Sequence, residues 1–146
     1  MIYLIIILKG GKIMIFNWKD RFSTGIEEID KQHKRLFEIG GEIYNLATLK
    51  DGQDHYDEII ALLGHLKEYT EYHFGYEEEL MEKYNYNKLE EHKQQHEMFV
   101  KKLVEIDTQD IDSKQKKVIL DILDFIVNWI SSHILGADFQ YKDIIK

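Results

Sequence analysis

Cysteine and proline are both missing from the 146 residues. Without cysteine there is no disulfide, no Fe–S cluster, no thiolate zinc site, no thiol nucleophile and no c-type haem attachment. Without proline nothing interrupts a helix from within, so long helices joined by few turns are expected. Positive charge is also short: 19 Lys and Arg stand against 27 Asp and Glu, and the net charge of −8 argues against binding a phosphate backbone. Long hydrophobic runs are lacking as well. The longest uncharged stretches, Met1–Leu8 and Phe125–Ala137, fall short of the roughly 18–20 apolar residues that span a bilayer. The first of them has neither the basic flank nor the small-residue cleavage site of a signal peptide. A cytoplasmic protein is expected, a monomer or weak homo-oligomer, with neither nucleic acid nor membrane as partner.

What is present suffices for one folded domain. Hydrophobic residues make up 44% and aromatics 12% of the chain, enough to bury a substantial core and to exclude disorder. The first thirteen residues differ from the rest. They read either as a short hydrophobic strand or anchor, or as translated leader. Lys9-Gly10-Gly11-Lys12-Ile13 can be encoded with a GGAGG ribosome-binding sequence just upstream of the ATG of Met14. Residues 1–13 are therefore expected to be non-native leader or a disordered extension, and 14–146 the domain.

From Ile15 to Gly25 an extended lead-in carries Phe16, Trp18 and Phe22. Four helical patterns follow, with apolar residues and histidines recurring at three and four. The first runs from Glu28 to Leu49 and ends at Lys50-Asp51-Gly52, a turn signal. The second covers Asp54 to Lys83, the third Lys88 to Ile106, and the fourth begins at a cap on Asp112 or Ser113. Short connections force neighbours antiparallel, which predicts an all-α, up-down-up-down four-helix bundle.

Five of the seven histidines fall on the inward stripes. His73 and Glu77 make H-x-x-x-E on the second helix, and His92 and His96 make H-x-x-x-H on the third. His33 projects from the first helix. Residues four apart lie about one turn apart on one helix face. His133 and Asp138 are separated by five, which overshoots in a regular helix; Gly136 between them allows the helix to loosen or end there. Each pattern alone is common. A single histidine on an apolar face is ordinarily a hydrogen-bonded core residue. Five imidazoles and two carboxylates in one small core are different, since without compensation they would destabilise the fold severely. A metal supplies that compensation. Imidazole and carboxylate without thiolate suit iron among other first-row metals, and the donors are too many for one ion. Two octahedral irons sharing both carboxylates and one oxygen bridge would have one position left over.

These motifs resemble those of the hemerythrin family in its prokaryotic single-domain form. The resemblance runs from Phe16 to Ile145: F-x-W at Phe16 and Trp18, G-I-x-x-I-D-x-Q-H-K-x-L from Gly25 to Leu36, H-F-x-x-E-E from His73 to Glu78, His92 with His96, and W-I-x-x-H-I-x-x-x-D-F-x-Y from Trp129 to Tyr141. It implies two iron ions per chain, cycling between Fe2+ and Fe3+ with an oxo or hydroxo bridge. It implies that His92, His96 and His133 hold the saturated iron, that His33 and His73 hold the other, and that Glu77 and Asp138 bridge. O2 would bind reversibly at the open position on the second iron, without a protein acid. Ile130 matches an apolar position beside that O2 site, and Phe37, Phe74 and Trp129 are expected to complete a dry wall, although plain core packing explains each of the four equally well.

The implied function is reversible O2 binding, for storage, delivery or sensing, and not enzymatic. A di-iron oxygenase of the ferritin-like class uses E-x-x-H pairs and more carboxylates than imidazoles; no histidine here has Glu three residues before it. A zinc hydrolase would need the glutamate of H-E-x-x-H, and His92-Lys93-Gln94-Gln95-His96 lacks it. The alternative is a redox role at the same site, handling peroxide or nitric oxide, or buffering iron. His55 and His65 are expected to be structural or solvent-facing, and Glu78 and Glu79 to belong to a solvated face. Asp30 is read either as a helix cap or as an acceptor that orients an imidazole. Tyr141 either bonds a ligand or packs.

Overall fold

Four amphipathic helices form the protein: α1 (Glu27–Thr48), α2 (Tyr56–Lys83), α3 (Leu89–Asp107) and α4 (Gln115–His133). The computed structural model describes residues 6–7, 13–14, 18–107 and 115–145. Phe16 and the expected cap at Asp112 or Ser113 lie outside the described residues, as does most of the 1–13 segment. Of the latter, β1 (Ile6–Ile7) pairs antiparallel with β2 (Ile13–Met14). The helices are arranged as the four-helix bundle that the periodicity predicts. α1 packs on both α2 and α4, and α2 packs on α3.

The lead-in is not wholly extended. Asp20–Phe22 make one 3-10 turn, which drives the Phe22 side chain to complete burial. Phe22 then packs at 5.4 Å from Phe37 and 5.7 Å from Trp18, ring centre to ring centre. Asp30 fastens this lead-in to α1: one carboxylate oxygen accepts from the Thr24 backbone N–H at 2.8 Å and the Thr24 hydroxyl at 2.9 Å, and the other accepts from the Ser23 hydroxyl. Asp30 thus shapes the start of the helix and orients no imidazole. The α2–α3 corner is a Schellman closure. The Tyr86 N–H reaches the Met81 carbonyl and the Asn85 N–H reaches that of Glu82, while Asn85 takes the left-handed conformation at φ 53°, which asparagine tolerates.

α4 does not stop at His133. It widens into a π turn over Ile134–Asp138 and continues as α5 (Phe139–Tyr141). The helical stretch Lys117–Tyr141 holds an 18-residue window of mean hydropathy 1.6, half of it buried in the protein, and is long and apolar enough to cross a membrane by length and composition alone. Its apolarity is accounted for inside the bundle, where Ile119, Ile122, Leu123, Ile126, Val127, Ile130 and Ile134 all join the main core.

The core is divided. The larger part runs from Ile59 and Ile119 to Phe74, Ile130 and Ile134. A smaller apolar cluster of Met81, Tyr86, Tyr141 and Ile145 closes the other end. Between the two lies a belt of buried polar side chains.

Candidate metal centre

Each helix contributes to that belt from one turn. α1 brings His33, α2 brings His73 and Glu77, α3 brings His92 and His96, and the end of α4 brings His133 and Asp138; all seven are buried. The i,i+4 pairs meet on one face by ordinary helix geometry. Asp138 arrives differently. The π turn inserts one residue into the helix, so Asp138, five residues on, sits where a residue four on would sit in a regular helix. Its Oδ1 comes within 3.2 Å of His133 Nε2. The helix therefore loosens rather than ends at Gly136.

All five imidazoles turn Nε2 inward, and each carboxylate divides its two oxygens between two nitrogen groups. Glu77 Oε1 lies 3.0 Å from His96 Nε2 and 3.2 Å from His92 Nε2. Glu77 Oε2 lies 3.3 Å from His73 Nε2 and 3.7 Å from His33 Nε2. Asp138 Oδ1 lies 2.9 Å from His92 Nε2, and Oδ2 lies 3.1 Å from His33 Nε2. Two donor groups result: Glu77, His92, His96, His133 and Asp138 in one, His33, His73, Glu77 and Asp138 in the other. In the first, His133 Nε2 is 3.0 Å from His92 Nε2 and 3.1 Å from His96 Nε2. Donors at right angles around one ion with bonds of about 2.1 Å would stand about 3.0 Å apart.

Three of the rings are held in the tautomer that leaves Nε2 bare. His73 Nδ1–H donates to Gln32 Oε1 at 2.7 Å, and Gln32 Nε2 in turn donates to Glu28 at 3.0 Å. His96 Nδ1–H donates to Glu78 Oε2 at 2.7 Å, and His133 Nδ1–H to Gln95 Oε1 at 3.0 Å. Such outer partners orient metal-binding imidazoles and raise their basicity. Aromatic faces brace two rings from the side: Phe74 stacks on His96 at 3.7 Å and Trp129 on His133 at 4.5 Å. Tyr141 donates its hydroxyl to Glu77 Oε2 at 2.8 Å, so it does bond a site carboxylate.

The donor set fits a metal better than it fits the protein alone. Among the described residues, His33 Nδ1 has no hydrogen-bond partner, and His33 Nε2 and both Asp138 oxygens, though close to one another and to other imidazoles, are not in hydrogen-bond geometry, a costly state for buried polar atoms. The charges point the same way. Burial works to lower the pKa of His33 and of His92, yet Asp138 and Glu77 outweigh it and hold each up to about 9. Burial lowers that of His73 outright, against the pull of Glu77. Burial would raise Glu77 and Asp138, and the imidazoles around them keep both carboxyls well below their usual range. Anionic oxygens and lone-pair nitrogens converging in a dry interior are a cation site.

A cavity of about 10 Å3, the size of one water, adjoins the His33 and His73 side. Phe74, Trp129 and Ile130 line it, together with Leu36, Thr70 and Ile134 and the site residues His33, His73, His133 and Asp138. Phe37 is not on the wall. Leu36 faces the cavity, and Phe37, about 100° further round α1, packs instead against Phe22 and against Trp18 at 6.1 Å. One correction concerns a polar residue. Glu78 is no solvated bystander, since it holds His96, whereas Glu79 is exposed. Thr70, the one hydroxyl on the wall, lies a turn before His73 and carried no spacing signal of its own. Gln32 and Gln95, each beside a histidine, were equally silent. His55 and His65 stay outside the site: His55 bonds Asp51 and Glu58, and His65 lies exposed beside Arg35.

Comparison with known proteins agrees with this geometry. Residues 24–145 match the model of the hemerythrin HHE cation binding domain. A bacteriohemerythrin of Clostridium acetobutylicum is 43% identical over 129 residues, 88% of this chain and all of that one. A bacteriohemerythrin of Pseudomonas aeruginosa is 31% identical over 88% of this chain and 80% of its own, and a hemerythrin-like protein of Naegleria gruberi is 30% identical over 89% and 93%. The crystal structure of a wild-type hemerythrin superposes with a TM-score of 0.73 at 25% identity, covering 88% of this chain and 95% of that one. The four helices, the buried histidine and carboxylate cluster and these matches together place the chain in the hemerythrin family.

Proposed function

We propose that the protein binds O2 reversibly at a pair of iron ions, as an oxygen store, carrier or sensor rather than an oxygenase. The observation that carries this is the division of both carboxylates: Glu77 and Asp138 each offer one oxygen to the three-histidine group and one to the two-histidine group. His92, His96 and His133 would hold one ion, His33 and His73 the other, with Glu77 and Asp138 shared and an oxo or hydroxo bridge between the ions. Bound there, an iron pair would supply the electrons that O2 uptake requires.

The chain's own residues do the rest. Gln32, Glu78 and Gln95 fix three imidazoles so that only Nε2 faces inward. Trp129 and Phe74 hold ring orientation and, with Leu36, Ile130 and Ile134, keep bulk water from the cavity. Apart from the site's own histidines and Asp138, that wall carries no acid and no lysine to deliver a proton, which favours release of O2 over its further reduction. Imidazole-rich ligation leaves less negative charge to stabilise high-valent iron, and the names of the matched relatives agree with oxygen binding.

Iron per chain and the visible spectrum of the reduced protein, followed through repeated cycles of air and vacuum, test the proposal. Two irons and a band that appears and disappears over many cycles are expected, and His33→Ala or His73→Ala should abolish the band. One zinc per chain, a mononuclear iron, or stoichiometric consumption of O2 on first exposure would overturn it.

A further inference from the structure

The cavity beside His33 and His73 has a polar feature that a dry O2 pocket does not need. Thr70 is completely buried and lies on its wall. Its hydroxyl donates to the Leu66 carbonyl at 2.7 Å. That bond uses the only hydrogen Thr70 can give, so toward the cavity Oγ1 is an acceptor. His33 lines the same cavity, and its Nδ1 has no hydrogen-bond partner among the described residues. With Nε2 given over to the metal in the proposed function, Nδ1 carries the ring hydrogen and is a donor. Thr70 and His33 therefore supply an acceptor and a donor among the residues that border a space for a single water, with His73, His133 and Asp138 also on its wall, which meets the requirements of a buried-water site.

We propose that Thr70 and His33 hold one resident water in the deoxygenated protein and that this water competes with O2. The inference rests on the O2-binding reading of the site. The water accepts from His33 Nδ1–H and donates to Thr70 Oγ1. Because the cavity has room for one small molecule, O2 enters only as the water leaves. O2 is a poor acceptor and no donor, so it does not replace both hydrogen bonds, and displacement of an ordered water under those terms lowers affinity. Thr70 thereby sets O2 affinity without touching iron: it is a positioning residue for the competitor.

Thr70→Val keeps the side chain's shape and removes the acceptor, and Thr70→Ser keeps the acceptor. In crystals of the iron-loaded, deoxygenated wild type, density for one water is expected within hydrogen-bond distance of Thr70 Oγ1 and His33 Nδ1. In Thr70→Val that density should be gone, and xenon should occupy the cavity at pressures that leave the wild type unfilled. The Kd for O2 should fall about fivefold, one hydrogen bond's worth, and Thr70→Ser should restore it. Iron content and thermal unfolding accompany each variant. A dry cavity in the wild type, or a Thr70→Val protein that loads iron and binds O2 no more tightly, would overturn the inference. Should the wild type take up no O2 at all, the O2-binding reading fails, while the water density and the xenon occupancy still decide who occupies the cavity.

Discussion

Tyr141→Phe isolates one bond in the centre and gives it a size. Tyr141 is fully buried, and its hydroxyl donates to Glu77 Oε2 at 2.8 Å. Burial first, then the negative charge of Glu77 and Asp138, push the phenol well above its usual pKa, so it remains a donor at any working pH. Phenylalanine fits the same space against Tyr86 and the His92 ring, whose centres lie 6.1 Å and 5.7 Å away, and leaves no cavity worth counting. The loss is then a single hydrogen bond to a buried carboxylate, about 1.5–3 kcal/mol. In a chain of this length each kcal/mol moves Tm by about 2–4 °C. Metal-free Tyr141→Phe should therefore melt about 3–12 °C below the metal-free wild type. The iron-loaded pair should differ by less, since iron on Glu77 offsets part of the lost partner. Tyr72→Phe, on an exposed ring, serves as the control and should stay within about 0.5 kcal/mol. A metal-free Tyr141→Phe protein that melts within a degree of the wild type would refute the reasoning.

Three further outcomes are expected. Because His33 and His92 stand at about 9 in the metal-free fold, their contribution to stability is whole below the unfolded value near 6.5 and is lost as pH rises through 9. Urea midpoints of metal-free protein should fall between those pH values, and those of iron-loaded protein, whose imidazoles carry no such proton, should not. Ile130→Asn places an amide on the cavity wall and should speed autoxidation several-fold while iron content stays at the wild-type level; an unchanged rate would remove Ile130 from the wall's function. Deleting Ala137 should convert the π turn to a regular α turn with Asp138 still opposite His133, because five residues across a π turn advance about as far as four in an α-helix; iron loading that collapses in this variant would contradict that geometry.

Much of this was legible before any coordinates. Residues four apart on a helix share a face, so His73 with Glu77 and His92 with His96 announced themselves. The apolar stripes around them told which face turned inward. The spacing from His133 to Asp138 signalled an irregularity, with Gly136 as its mark, but spacing alone left open whether the helix widened or stopped. Gln32, Gln95 and Glu78 were not legible as partners of the imidazoles. Each sits next to a site residue, 100° round the helix, and whether that direction meets water or another ring depends on how neighbouring helices cross. The same 100° decided against Phe37 and for Leu36. Thr70 had no pattern at all, since one hydroxyl among apolar neighbours is ordinary in a helix. Composition shows which faces are buried, and only packing shows what lies across from them.

The belt of polar side chains separates the large core from the small cluster of Met81, Tyr86, Tyr141 and Ile145. That smaller cluster has far fewer buried residues than the large core. It is fastened to the bundle by Asp138 and Tyr141, which meet His33, His92, His133 and Glu77 at the centre. A cation held at the centre would bind Asp138 as well, and so add to the stability of the docked segment from Leu135 to Ile145. Amide exchange and proteolytic nicking within those residues would track iron content, while the helices on the far side of the belt keep their own schedule. Seen this way, a metal at the centre would also be a fastener for the segment that carries Asp138 and Tyr141.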